Sequence, residues 1–185
     1  MKTLIKIKRT FNSTGKCSYK KCIFNTRRLK VNIRKVNKED FDDILNLQLQ
    51  LEDTEIKFDC NLKERCYETI KGKEKLKNRI NNEKNIFYVA VNQNNKVVAF
   101  IDGTMPDDEW WYKDSVAYLN HICVDECYRN RGIAKMLLKQ FEEIARQNGA
   151  KYVRLLAFHQ NIPAISFYKN NGFNEYSTYY NKKLD

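Results

Sequence analysis

The chain has 185 residues, with 34 Lys and Arg against 23 Asp and Glu and a formal net charge of +11 at pH 7. This length suits one domain with an ordinary hydrophobic core, and no apolar run is long enough to cross a membrane. Ten of the basic residues and no acidic residue lie in residues 1–30, which leaves 24 basic against 23 acidic residues, or +1, for the rest of the chain. This distribution argues against a nucleic-acid-binding domain.

The first segment, residues 1–30, is a basic extension ahead of a domain that covers residues 31–185. Its composition is basic, free of acid and rich in Ser, Thr and Asn, as in an organelle transit peptide. It can equally be a solvated tail, or an extra strand or helix packed on the domain. We therefore expect a cytoplasmic protein, with an organelle as the alternative, and a monomer or homodimer without a membrane partner.

The hydrophobic pattern predicts the elements that follow the extension. In chain order they are a strand at 31–36, a helix over 37–53, helical segments within 60–82, a hairpin of strands at 86–91 and 96–105, an acidic aromatic loop at 106–115, a strand at 116–124, an amphipathic helix that ends at Asn148-Gly149, a strand at 150–158, a helix at 161–171 and two short strands within 173–184. This order predicts a mixed α/β (α+β) fold, with a central, mostly antiparallel sheet flanked by helices and one parallel βαβ passage.

The sequence RNRGIA at 129–134 lies between the predicted strand at 116–124 and the amphipathic helix. The first amides of a helix have no intrahelical partner, and the helix dipole is positive at that end, so an anion binds there readily. Gly132 lets a ligand approach the backbone closely. Arg129 and Arg131 add charge and a donor geometry that suits phosphate oxygens. This turn predicts a diphosphate site, whereas a plain strand-to-helix turn with surface arginines is the alternative.

The spacing Arg129-x-x-Gly132-x-Ala134, with NIPAISFYKNNGF following from Asn161, resembles the GNAT-type N-acetyltransferase family. In that family the arginine-glycine turn binds the pyrophosphate of acetyl-CoA, and the later helix carries a tyrosine beside the thioester. The resemblance implies a GNAT-like fold, acetyl-CoA as the acyl donor and a set of cofactor-binding residues. These are Ile122, Cys123, Val124, Arg129, Asn130, Arg131, Gly132, Ile133, Ala134, Asn161 and Tyr168.

The same resemblance implies that the protein moves the acetyl group of acetyl-CoA to a primary amine of a small molecule, peptide or protein, by direct attack in a ternary complex. Backbone amides of the strand at 122–124 would stabilise the oxyanion, and Tyr168 would be the catalytic acid for the departing thiolate. Asn161 would contact CoA, although an Asn there is also an ordinary helix N-cap. No general base is assigned: His121, a water chain and an acidic residue at 107–109 all remain open.

Several other interpretations of the sequence stay open. A non-catalytic acyl-CoA-binding or sensor domain would explain why the strand at 116–124 has no carboxylate, and a nucleic-acid-associated protein would act through residues 1–30. Cys123 as a covalent nucleophile is less favoured than Cys123 as a small buried residue. The loop at 107–112 would either contact a cationic amine or cover the sheet edge. The six cysteines lack the paired spacing of a zinc site, so we expect reduced thiols and no metal.

Overall fold

The computed structural model describes residues 4–11, 17–24, 30–106 and 112–184. Its strands are β1 (Leu4–Phe11), β2 (Cys17–Phe24), β3 (Asn32–Lys35), β4 (Ile86–Val91), β5 (Val97–Thr104), β6 (Val116–Val124) and β7 (Tyr152–Leu155). Its helices are α1 (Phe41–Glu55), α2 (Ile70–Asn81), α3 (Ile133–Gln147) and α4 (Ile162–Lys169).

Five strands form one sheet in the order β3-β4-β5-β6-β7. Each neighbouring pair is antiparallel except β6 and β7, which are parallel and joined through α3, because parallel strands need a crossover. The predicted mixed α/β fold with one parallel βαβ passage is confirmed. Strands β1 and β2 form a separate two-stranded sheet, and the role of residues 1–30 as an extension stays a prediction.

The two faces of the five-stranded sheet carry separate hydrophobic cores, because side chains alternate along each strand. On one face α3 buries Leu137, Leu138 and Phe141 against strands that include Ala99 and Ile101. This confirms the apolar stripe predicted for the amphipathic helix. On the other face α1 and α2 cover a second core. Its members include Ile44, Leu47, Leu76, Phe87, Phe100 and Cys123.

Local hydrogen bonds fix where the helices on that second face begin. Asn37 and Asp40 form a capping box ahead of α1, and Arg34 donates two hydrogen bonds of 2.7 Å to the Asp40 carboxylate. The Thr69 hydroxyl accepts a 3.0 Å bond from the Gly72 amide and thereby caps α2. The helical content expected from residue 60 therefore begins at Ile70, apart from one 3-10 turn at 66–68.

The C-terminal segment differs from the prediction. The structure describes all of residues 173–184, and they contain no strand or helix. The prediction of two final strands was therefore wrong. Tyr176, Tyr179 and Tyr180 are exposed, so the alternating pattern there buries no apolar face that would hold a strand in place. Strand β7 is also shorter than expected, at 152–155 instead of 150–158.

The cysteines only partly follow the prediction of reduced thiols. Cys60, Cys66 and Cys123 are free, but Cys127 is disulfide-bonded. No group of three or more potential metal-ligating His, Cys, Asp or Glu side chains occurs in the described part of the chain. Among the helices of the same residues, none has the length and apolar character needed to span a membrane.

Candidate active site

The arginine-glycine turn delivers the chain into α3 with an open helix N-terminus. Gly132 is the N-cap residue at φ +78°, in the left-handed region that favours glycine, and no side chain caps the helix. A Cβ built on Gly132 meets no atom within 4 Å, so space lies directly over the first amides of α3. Among the described residues nothing accepts a hydrogen bond from the amides of Gly132 or Ala134. This arrangement is suited to binding an anion.

Both arginines of the turn are anchored to the preceding backbone. Arg129 Nε donates to the Val124 carbonyl at 3.0 Å, and Arg131 donates to the Cys127 carbonyl at 3.1 Å. Arg131 also lies over the Tyr128 ring, 5.7 Å from its centroid. Arg129 is exposed, and within the described residues only its Nε is hydrogen-bonded, so its two terminal amino groups are able to contact a phosphate.

The remaining predicted residues of the turn contribute mainly through the backbone. Asn130 has a left-handed backbone at φ +61° and an exposed side chain, which helps the chain to turn. Ile133 is buried in the core beneath α3, so only its amide faces the helix start. Asn161 caps α4, because its Oδ1 accepts a hydrogen bond from the Ala164 amide at 3.3 Å. The N-cap role predicted for Asn161 is therefore confirmed, while a contact with CoA stays a prediction.

Strand β6 separates from β7 immediately before this turn. The two strands pair from Val116 with Tyr152 to Leu119 with Leu155, whereas β6 continues to Val124. Residues 121–124 are therefore paired with β5 on one side, and residues 120–124 have no strand partner on the β7 side among the described residues. Alternate backbone groups on the open side can bind a ligand or a developing oxyanion. The predicted location of the acyl site thus has backbone groups without a strand partner among the described residues, although the Val124 carbonyl already accepts the hydrogen bond from Arg129.

The side chains of 122–124 are divided between the two faces. Ile122 and Val124 pack against the core on the α3 face. Cys123 points the other way, is 4% exposed, and donates its thiol to the Leu47 carbonyl at 3.3 Å. Burial raises the pKa of Cys123 to about 12, so the thiol stays protonated and is a poor nucleophile. This confirms the interpretation of Cys123 as a small buried residue and limits any contact with a cofactor to its backbone.

Tyr168 lies on α4 with its ring among aromatic neighbours. The ring packs edge-on against Phe167 and Phe173, with centroids 5.4 and 5.6 Å away. Its hydroxyl has no hydrogen-bond partner within the described ranges. Burial, together with the negative charge of Glu55, raises the pKa of Tyr168 to about 12. The phenol is therefore neutral at pH 7, and its hydroxyl can donate a hydrogen bond to a ligand.

A β-bulge sets the direction of the side chains in the middle of β6. Asp102 pairs with His121 while the next residue, Gly103, pairs with Leu119, so Asn120 is the extra residue. Strict alternation would put Leu119 and His121 on one face, but across the bulge His121 lies on the face of Cys123 and Asp102, opposite Leu119. The sequence predicted that His121 would change face only if the strand contained a bulge, and that bulge is present.

His121 contacts a buried ion pair that was not predicted from the sequence. Its Nδ1 lies 3.0 Å from Asp102 Oδ1, and Arg79 Nη2 donates to the same oxygen at 3.0 Å. Arg79 also donates to the Tyr67 hydroxyl at 2.8 Å and contacts Gln48 Oε1 at 3.3 Å. Asp102 interrupts the apolar run VVAFIDGT, and Arg79 lies on the same helix face as Gly72, Leu76 and Ile80. Both positions could have been recognised as buried charges from these patterns.

Glu55, the last residue of α1, is a second missed acidic group. Burial raises its pKa, the positive charge available on His121 lowers it, and Glu52 raises it. Glu55 acts electrostatically on both His121 and Tyr168, so it is a carboxylate near both side chains, whereas β6 itself carries none. No local pattern marks it, since it is one of many acidic residues in α1. The acidic loop positions 107–111 lie outside the described residues.

Comparison with known proteins places this geometry in context. Residues 51–173 match the model of the Acetyltransferase (GNAT) family. The uncharacterized N-acetyltransferase MJ1207 of Methanocaldococcus jannaschii is 40% identical over 63 residues, which are 34% of this chain and 28% of that protein. The chain spans about half or less of the length of the curated relatives it matches.

Solved structures share the fold over most of the chain. A mutant of protein BH1408 from Bacillus halodurans superposes with a TM-score of 0.73 at 19% identity, covering 83% of this chain and 99% of that one. The aminoglycoside N-acetyltransferase AAC(6')-Iy, solved in complex with CoA, superposes with a TM-score of 0.66 at 17% identity, covering 87% of this chain and 100% of that one. At these identities the likeness shows the fold.

Proposed function

The chain belongs to the Acetyltransferase (GNAT) family, and on that premise we propose that it transfers the acetyl group of acetyl-CoA to a primary amine by direct attack in a ternary complex. The observation that carries this proposal is the open N-terminus of α3 at Gly132, which follows the part of β6 that has no described strand partner on the β7 side. The first feature would bind the diphosphate of an acyl-CoA, and the second would bind its thioester carbonyl.

Acetyl-CoA fits the residues that line this region. The amides of Gly132, Ile133 and Ala134 would hold the pyrophosphate, with Arg129 and Arg131 adding charge-assisted hydrogen bonds. Backbone groups on the open side of residues 122–124 would hold the thioester carbonyl. When bound, the donor supplies the activated acetyl group, and the chain supplies its orientation and the proton transfers.

Tyr168 would stabilise the thiolate that leaves during the reaction. A phenol with a pKa raised to about 12 lies above a typical thiol, whose pKa is about 8.5, so complete proton transfer to the thiolate is uphill. A hydrogen bond from the neutral phenol is available throughout, and it strengthens as negative charge develops on sulfur. We therefore assign Tyr168 as the donor that contacts the leaving group.

The non-catalytic acyl-CoA-binding alternative rests on the absence of a carboxylate from β6. Glu55 from α1 and the Asp102 carboxylate behind His121 now bring acidic groups to the same region from other elements. The nucleic-acid alternative depends on residues 1–30 and remains a separate prediction for that segment.

Turnover by the full chain tests the proposal. Purified protein is incubated with acetyl-CoA and each of three amines, namely spermidine, an aminoglycoside and a short peptide, while free CoA thiol and acetylated product are quantified. We expect an acetylated amine, and a kcat lowered about 100-fold or more in Tyr168→Phe. Tyr152→Phe is the matched control, because Tyr152 is exposed on β7.

Two results would contradict this assignment. If Tyr168→Phe and Tyr152→Phe both keep the wild-type kcat under conditions where chemistry is rate-limiting, Tyr168 does not act on the leaving group. If acetyl-CoA binds but no amine in a broader screen is acetylated, the non-catalytic alternative is the better description.

A further inference from the structure

Polar side chains from five segments meet beneath the open part of β6. They form a connected group that we call the Arg79 cluster, which consists of Gln48, Tyr67, Arg79, Asp102 and His121. Asp102 is 1% exposed and Gln48 is 2% exposed. Burying a carboxylate and a guanidinium is unfavourable before their attraction is counted, and an apolar pair of similar volume is often at least as stable. A function for the cluster would explain why it is there.

The hydrogen bonds of Asp102 fix the proton on His121. The cation of Arg79 donates to Asp102 Oδ1 at 3.0 Å, so the carboxyl group is held as a carboxylate, which only accepts hydrogen bonds. His121 Nδ1 lies 3.0 Å from the same oxygen. Nδ1 must therefore carry hydrogen and donate it. In the neutral imidazole the lone pair is then on Nε2.

The other nitrogen of His121 is available to a ligand. Nε2 has no hydrogen-bond partner in the described part of the chain, and the His121 side chain is 26% exposed. His121 belongs to the segment of β6 that has no strand partner on the β7 side. Its charged and titratable neighbours are Asp102 on β5, Arg79 on α2 and Glu55 at the end of α1, and Glu55 also acts on Tyr168 of α4.

We propose that His121 Nε2 is the base that takes the proton from the attacking amine, and that Asp102 and Arg79 are positioning residues that hold His121 in the tautomer able to do so. This inference rests on the proposed acetyltransferase function. In the step, the amine nitrogen forms a bond to the thioester carbonyl carbon and the carbon–sulfur bond breaks. Nε2 receives the proton that nitrogen loses, and sulfur leaves as a thiolate that is hydrogen-bonded to Tyr168 and takes a proton from solvent.

The tautomer can be measured without knowing the amine. The chain has only two histidines, so long-range proton–nitrogen correlation spectra of the imidazoles resolve into two sets of signals. His159 is exposed and outside the Arg79 cluster, and His159→Gln identifies its signals by their loss. We expect neutral His121 in the wild type to show hydrogen on Nδ1 and a lone pair on Nε2. Asp102→Asn should abolish this preference, because an amide can donate as well as accept.

Turnover variants then test the role of Nε2. With an amine acetylated by the wild type, we expect His121→Gln to lower kcat/KM about 100-fold or more and to remove the acid limb of its pH profile, while the Kd for acetyl-CoA is unchanged. Asp102→Asn should lower kcat/KM with a smaller effect, since it acts through His121. His159→Gln should leave kcat/KM and the pH profile as in the wild type.

The outcomes separate this inference from the proposed function. Absence of acetyl-CoA binding or turnover in the wild type would refute the proposed function and this inference together. A working wild type whose His121→Gln variant keeps its kcat/KM and pH profile would refute the inference alone. So would a His121 that carries hydrogen on Nε2 in the wild-type spectrum, or a Glu55→Gln variant that loses turnover while His121→Gln retains it.

Discussion

Replacing Gly103 by alanine should damage the sheet at the bulge that orients His121. A Cβ built on Gly103 lies 2.2 Å from the Tyr118 carbonyl oxygen and 2.6 Å from two carbons of the Phe141 ring. Ordinary contact begins at 3.4 Å, so the gap must open by about 1 Å, a shift of the size that overpacked cores take up by moving backbone. The Tyr118 oxygen belongs to the β6 backbone, which cannot move without disturbing its pairing with β5.

We expect Gly103→Ala to lower the free energy of unfolding by about 3 kcal/mol or more, at the upper end of overpacking costs. The melting temperature should then fall by about 6 °C or more. Urea unfolding with an unchanged slope measures the effect. Gly149→Ala is the control, because its Cβ meets no atom within 4 Å and only the left-handed backbone at φ +90° is unfavourable, at about 1–2 kcal/mol. Equal or greater stability of Gly103→Ala would refute this account of the bulge.

Three further predictions concern the charges around the site. Arg79→Met should destabilise the protein by about 3–5 kcal/mol, because Asp102 stays buried without its cation, and Arg79→Met with Asp102→Leu should recover part of the loss in urea unfolding; a double variant no better than the single one would contradict this. The pKa of Tyr168 is raised by burial to about 12, so the unfolded chain loses this proton at a lower pH than the folded chain. The stability of the wild type should therefore fall between about pH 10 and 12, and the stability of Tyr168→Phe should fall less. Parallel curves of stability against pH for the two proteins would contradict this prediction. The pKa of Glu55 is also raised by burial, so its contribution to stability is present below the unfolded pKa and lost as the pH rises through the folded pKa. Glu55→Gln should therefore raise the urea midpoint at pH 7 but not at acid pH. A lower midpoint for Glu55→Gln at pH 7 would contradict the destabilisation expected from the buried, ionised Glu55.

The fold and half of the site could be predicted because their signals are local. The turn from Arg129 to Gly132 lies within four residues, and the helix after it shows one apolar face in sequence. The backbone site on β6 was implied by the family resemblance, whose motif residues are also close together in the chain. For each of these features the residues that matter are close together in the chain, so periodicity and turn chemistry suffice.

The other half of the site depends on contacts that no local pattern encodes. His121 and Asp102 are 19 residues apart, and Arg79 and Asp102 are 23 apart. They meet because β5 pairs with β6 in one register and because a bulge at Asn120 turns His121 towards Asp102. Strict alternation predicted the opposite face for His121. The prediction of two final strands was wrong for a related reason. The alternation in 173–184 suggested a buried apolar face, but Tyr176, Tyr179 and Tyr180 are exposed.

Calorimetric titration of acetyl-CoA into the full chain tests the central claim most directly. Gly132→Glu places a carboxylate over the first amides of α3, where a diphosphate would bind. Gly149→Glu introduces the same charge at φ +90° with equal open space at the far end of the same helix. The account predicts binding by the wild type and Gly149→Glu and its loss in a folded Gly132→Glu. Unchanged binding by Gly132→Glu, or no binding by the folded wild type, would contradict it.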